Sequence, residues 1–134
     1  MRRQAREMAL QILFQTEFAP QITVQQLLSL YDQTFPSEAV RFCEQLVQGV
    51  MSHKQDIDAK IQASSIHWKI ERMSSVDRNI LRIAAYEICY ADEKIKENIL
   101  INEAIEIAKK FGNTESSGFI NGVLDQIARS AQSQ

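Results

Sequence analysis

At 134 residues, 45% hydrophobic and 24% charged, the chain reads as a single domain, residues 1–134, long enough to bury one core. Four glycines and two prolines are too few for a turn-rich all-β fold. A net charge of −2 supplies no whole-chain attraction for nucleic acid, so any such binding must come from a local basic patch.

Residues 3–18 read as a first helix. Ala5, Ala9, Ile12 and Thr16 share one face, flanked by Met8 and Leu13, with Gln4, Glu7, Gln11 and Gln15 opposite and Pro20 as the stop. Arg2, Arg3 and Arg6 crowd its start within an arc of roughly 100°. Cations there oppose the helix dipole, at ~0.3–1 kcal/mol each when exposed, and they repel one another. Read alone, the cluster has no internal anion. A bound phosphate would relieve both problems and use the free N–H groups of the first turn. The bland alternative is a solvated helix end whose arginines bind nothing.

A short second helix turns Val24, Leu27, Leu28 and Tyr31 inward, and residues 33–36 make a turn. Pro36 or Ser37 opens a third helix with Val40, Cys43, Leu46, Val47 and Val50 on one face. Gly49 weakens it and marks close packing against a neighbour. Ile57 and Ile61 carry a fourth helix to about Ala63. The linker 64–73 follows, with Trp68 and Met73 expected to cover the edge of the core.

The stretch 74–90 reads as the central helix. Ser74 caps it, and Asp77 places a negative charge in the first turn, where the dipole favours one. Ile80, Leu81, Ala84, Ala85, Ile88 and Cys89 form a stripe wide enough for several neighbours. After a charged loop, residues 100–111 make an amphipathic helix with Ile101, Ala104, Ile105 and Ala108 inward, Lys109 and Lys110 in the last turn, and Gly112 as terminator. Residues 113–118 read as a polar loop. The last helix carries Phe119, Ile120, Val123, Leu124, Ile127 and Ala128, with a notch at Gly122 and a tail that frays after Arg129. Periodicity alone places Phe119 in the core.

Cys43 and Cys89 sit at apolar positions without CxxC spacing, which suits reduced thiols in a cytoplasmic protein better than a disulfide. No apolar run approaches the ~20 residues of a membrane span. Glu7, Gln11 and Gln15 interrupt what would be a signal-peptide core after Met1-Arg2-Arg3, and no cleavage site follows. Catalysis has little support. His53 and His67 lack metal-ligand spacing, and no nucleotide-binding or nucleophile motif occurs, so no cofactor, metal or enzymatic activity is expected. Glu103 and Glu106 read as a solvated or ion-paired face. Glu87 opposes the dipole near the end of the central helix and calls for a partner, from Arg82 or another helix. The like-charged Arg78 and Arg82 call for acids from elsewhere in the fold.

Four segments in order resemble the bacterial transcription antitermination factor NusB family, over nearly the whole chain. They are Arg2-Arg3-Gln4-Ala5-Arg6-Glu7 with Ala9, Gln11 and Leu13; Val76-Asp77-Arg78-Asn79-Ile80-Leu81-Arg82-Ile83-Ala84-Ala85-Tyr86-Glu87; Ile101-Asn102-Glu103-Ala104-Ile105-Glu106-Ile107-Ala108-Lys109-Lys110-Phe111-Gly112; and Phe119-Ile120-Asn121-Gly122-Val123-Leu124-Asp125. The last two together are specific; the arginine motif alone is weak. The resemblance implies an all-α, compact bundle of about seven helices in two helical subdomains, with no enzymatic activity. It implies a partner, the ribosomal protein that serves as antitermination subunit NusE, and the single-stranded boxA element of ribosomal RNA operon leaders as ligand, within the RNA polymerase antitermination complex. By the same resemblance Arg2, Arg3 and Arg6 contact phosphates and bases. Phe119 offers a stacking face worth ~1–3 kcal/mol per base, Glu115 and Ser116 border it, and Glu71 and Asp77 meet NusE.

Two positions depart from the pattern. Phe14 stands where the first motif often has tyrosine, which removes a hydroxyl that could hydrogen-bond RNA. Gly118 stands where some members carry a basic residue. Weak, salt-sensitive RNA binding by the free chain, tightened by NusE, is the expectation. Two other readings compete. One is the detached RNA-binding domain of an rRNA cytosine methyltransferase-like protein, although no glycine-rich cofactor loop is present. The other is a helical protein–protein adaptor, homodimeric or not, with incidental arginines. Some members of the family are expected to dimerise by covering the RNA face.

Overall fold

The computed structural model describes residues 1–132, and every regular element among them is helical. They are α1 (Arg2–Phe18), α2 (Val24–Asp32), α3 (Ser37–Ser52), α4 (Lys54–Ser64), a single 3₁₀ turn (Ile70–Arg72), α5 (Ser75–Cys89), α6 (Glu97–Phe111) and α7 (Ser116–Gln132). Two starts have side-chain caps that bond orphan N–H groups of the first turn. The Ser74 hydroxyl accepts from the Asp77 N–H at 3.0 Å, as the sequence suggests. Thr23 and Gln26 form a full capping box at α2, which composition alone had not singled out.

The central position of α5 follows from its wide apolar stripe. It packs against α1, α3, α4, α6 and α7. Helices α1–α3 pack on one another and α4–α7 on one another, so α5 is the wall shared by two helical groupings. Ile80, Leu81, Ala84, Ala85 and Ile88 are buried, and the buried side chains form one continuous core. Gly49 is where α3 crosses α5. A Cβ there would lie 2.2 Å from the Tyr86 ring, so any side chain would force that ring to move. Both cysteines are free, and burial pushes the Cys43 thiol up to about 12. No helix among the described residues is long and apolar enough to cross a membrane.

Four local expectations fail. Trp68 is 61% exposed and does not cover the core; Ile70 does, because the Gln62 side chain ties down the linker through the Trp68 carbonyl (2.9 Å) and the Ile70 N–H (3.0 Å). Helix α6 starts at Glu97 rather than near residue 100. Helix α7 starts at Ser116, inside the expected polar loop. Its start is built by Asn113, whose Oδ1 accepts the Glu115 N–H at 2.9 Å, and by Ser116 Oγ, which accepts the Asn113 N–H at 3.0 Å. The expected fraying after Arg129 gives way to helix through Gln132; Ser133 and Gln134 lie outside the described residues. Gly112 does end α6, but in an extended conformation (φ −94°) rather than a left-handed one. Glycine is required there because a Cβ would come within 2.5 Å of Ser116 Oγ and 2.9 Å of the Ala108 carbonyl.

Candidate nucleic-acid interface

The first turn of α1 does not lack anions. Each of its arginines is met by a carboxylate from the other half of the chain, which overturns the unpaired cluster expected above. Arg2 Nη2 donates to Glu93 at 2.6 Å, and its guanidinium lies 4.5 Å from the centre of the Phe42 ring. Arg3 donates twice to Glu103, at 3.1 and 2.6 Å. Arg6, only 5% exposed, forks onto Glu87 at 2.6 and 3.0 Å and reaches Glu103 at 3.4 Å. Arg6 is therefore the partner that Glu87 required, supplied by a neighbouring helix. Lys110 is a fourth cation bonded across this region, to Glu7 at 2.9 Å. Glu103 belongs to this network and Glu106 pairs with Lys109, so both read correctly as an ion-paired face.

The pairing has a chemical consequence. Hydrogen bonds from Arg3, then its charge and that of Arg6, outweigh partial burial and hold the Glu103 carboxyl below its usual range. An arginine has five N–H donors. Arg3 spends two on Glu103 and keeps three on an exposed guanidinium that is already oriented. Arg6 spends its donors in the interior and acts on this surface through Glu103. Phe119 is half-buried at the start of α7, which packs on α6, the helix that carries Glu103. Glu115 is exposed, whereas Ser116 is 1% exposed and occupied by Asn113. Arg2, Arg3, Glu115 and Phe119 are thus the accessible members of the expected set; α6 carries the Glu103 that holds Arg3 and packs on the helix that bears Phe119, whereas Arg2 rests on Glu93 and Phe42.

The other end of α1 differs. Phe14 and Phe18 are 38% and 68% exposed with ring centres 4.7 Å apart. Phe14 borders a shallow cleft of about 270 Å³ with Leu10, Val76 and Phe111. Asp77, next to Val76, is 9% exposed, and its Oδ1 is buried without a hydrogen-bond partner among the described residues. Glu71 is exposed on the 3₁₀ turn and shares a second cleft with Glu17, Arg78 and Arg82. Glu17 accepts from Arg78, from Asn79 at 2.7 Å and from Arg82 at 3.2 Å, and Arg82 also forks onto Asp58 at 2.8 and 3.0 Å. These are the acids that the Arg78–Arg82 pair required. Burial pushes the Glu17 carboxyl up, but the bonds from Arg78 and Asn79 outweigh it and the net shift is downward. Sequence reasoning missed Phe18, Phe42 and Lys110; the aromatic pair at spacing i, i+4 on α1 was the one available signal.

A helical bundle with a charge-paired edge at one end of a helix and exposed aromatic rings at the other has the make-up of a small binding protein. The model of the NusB family matches residues 3–129, and the chain belongs to the NusB family. It is 59% identical over 128 residues to the transcription antitermination protein NusB of Bdellovibrio bacteriovorus, covering 96% of this chain and 95% of that one. The solved structure of NusB from T. maritima superposes with a TM-score of 0.88 at 36% identity, covering 96% of this chain and 91% of that one. A structure of antitermination factors NusB and NusE in complex with double-stranded RNA contains a chain with TM-score 0.83 and 23% identity, covering 96% of each, and there the likeness shows the shared fold. The family is one of antitermination factors, not of enzymes.

Proposed function

We propose that this chain works as a cytoplasmic antitermination factor that, together with NusE, binds the single-stranded boxA RNA of ribosomal RNA operon leaders within the antitermination complex on RNA polymerase. The observation that carries the reading is the make-up of α1, with oriented, accessible guanidinium groups at its start and exposed rings beside a buried, unpartnered carboxylate oxygen at its end. Arg2 and Arg3 supply phosphate contacts, Phe119 a stacking surface, and Arg6 the scaffold that positions them. NusE covers Phe14 and Phe18 and supplies the donor that Asp77 lacks, with Glu71 at the margin. A chain of the same fold has been solved in a complex of antitermination factors NusB and NusE with double-stranded RNA, which supports RNA and NusE as the two classes of partner.

Two charged contacts release few counterions. The log–log salt slope of RNA binding by the free chain is therefore shallow, roughly −1.4 for two phosphates on a single strand. The deciding experiment is fluorescence anisotropy of a boxA RNA, a scrambled RNA and a duplex, with and without NusE. Selective tightening of the boxA single strand by NusE supports the proposal. Retention of a protein partner with no RNA binding under any condition replaces it with the adaptor reading. The variant to use is Arg2→Ala with Arg3→Ala; including Arg6 would break a buried ion pair and confuse loss of fold with loss of binding. A second copy covering the same face would make RNA affinity fall as protein concentration rises.

A further inference from the structure

A cleft of about 440 Å³ lies beside Arg2, between α3, the end of α5 and the segment that joins α5 to α6, within the ~300–1,000 Å³ range of ligand clefts. Of its lining residues only Arg2 belongs to the RNA-contacting set proposed above. Resting on the RNA-binding reading above, we propose that it is a further nucleotide subsite, in which one unpaired base of the bound RNA lies against the Arg2–Phe42 pair with its edge turned to Gln45 and Gln48.

Three features of the cleft support this occupant. Its floor is a prepared stacking platform: the Arg2 guanidinium is held between the half-buried Phe42 ring at 4.5 Å and Glu93 at 2.6 Å, and it lines the cleft. Unpaired bases stack on arginine planes and aromatic rings alike. Its wall carries Gln45 and Gln48, one turn apart on α3, exposed and with side-chain amides that make no hydrogen bond within the described residues. Each amide offers donors and an acceptor, the complement of a base edge. Its rim carries Asp92 and Glu93, both exposed. Their charge repels phosphate from the interior, so a base enters while its phosphate stays outside, towards Arg3. The cleft is continuous with the accessible arginines, since Arg2 belongs to both.

The test is a cycle between protein and RNA. Wild type and the Gln45→Ala/Gln48→Ala double variant are titrated with the boxA RNA and with versions carrying a single abasic nucleotide at each position in turn. Both glutamines are exposed, so the variant keeps its fold, which thermal unfolding verifies. The expected result is a loss of about tenfold for the intact RNA, consistent with two lost hydrogen bonds, that disappears when one particular nucleotide is abasic. Losses that add at every position overturn the subsite, as does an unchanged affinity while Arg3→Ala still weakens binding. So does an effect confined to NusE binding, which would assign the cleft to a protein. If wild type binds none of the RNAs, the RNA-binding reading itself fails, and Arg3→Ala then has no effect either.

Discussion

The two ends of α1 solve opposite problems with the same helix. At its start, three arginines are drawn against Glu87, Glu93 and Glu103, and the buried member of the set, Arg6, is the most fully bonded. At its end, two phenylalanine rings stay in solvent and a buried carboxylate oxygen of Asp77 has no donor. A buried guanidinium without an anion would cost several kcal/mol, so the first end is complete within the chain. Nothing among the described residues covers the rings or donates to that Asp77 oxygen, which is the condition of a surface finished by another molecule. Seventeen helical residues span about 25 Å. That separation leaves room for two ligands at once.

Breaking the complete end has the largest effect. Glu87→Ala strips the buried Arg6 of its two-pronged partner, leaving only the 3.4 Å contact to Glu103, and lowers unfolding stability by about 3 kcal/mol, read as a shift in the urea midpoint. The paired replacement Arg6→Met with Glu87→Leu costs far less, because it removes both charges together. If Glu87→Ala alone proves harmless, the complete end is not structural.

The incomplete end answers in the reverse sense. Phe14→Ala with Phe18→Ala leaves stability within about 1 kcal/mol, since both rings are exposed, yet weakens NusE binding by about 2 kcal/mol or more if they are its anchors. Calorimetric titration against NusE, set beside a thermal melt, separates the two quantities.

Acid probes the comparison most gently. The carboxyls of Glu103, at the start of α1, and Glu17, near its end, both lie below the ordinary value of 4.5 in the folded chain. Their stabilisation is fully present above that value and is lost as pH falls through their depressed values, because the unfolded chain takes up the protons first. Urea midpoints followed downward from neutral pH should decline across that window, and Glu103→Gln should flatten part of the decline. A decline of equal steepness in the variant would remove Glu103 from the account.

Much of the fold was legible without coordinates. The apolar spacing of Val40, Cys43, Leu46, Val47 and Val50 marked the buried face of α3, and Gly49 marked its closest crossing, because both signals lie within one helix. The start of α7 was not legible. Asn113 and Ser116 look like loop residues until their side chains are seen to hold the turn. Trp68 misled for a related reason: a large apolar residue belongs in the core only if its backbone is placed there, and Gln62 places Ile70 instead.

By itself the amino-acid sequence determined that the chain is helical, most of the inward faces, the Ser74 cap and the family, all of which depend on residues within a few turns of one another or on ordered motifs. The tertiary structure alone decided which charges meet. The partners of Arg2, Arg3 and Arg6 lie 91, 100 and 81 residues away along the chain, so no local spacing encodes them. Whether an arginine is a free cation, an oriented donor or a buried strut depends on which carboxylate the packing of α5 and α6 brings to it. That contact is also what separates Arg2 and Arg3, which remain accessible, from Arg6, which does not.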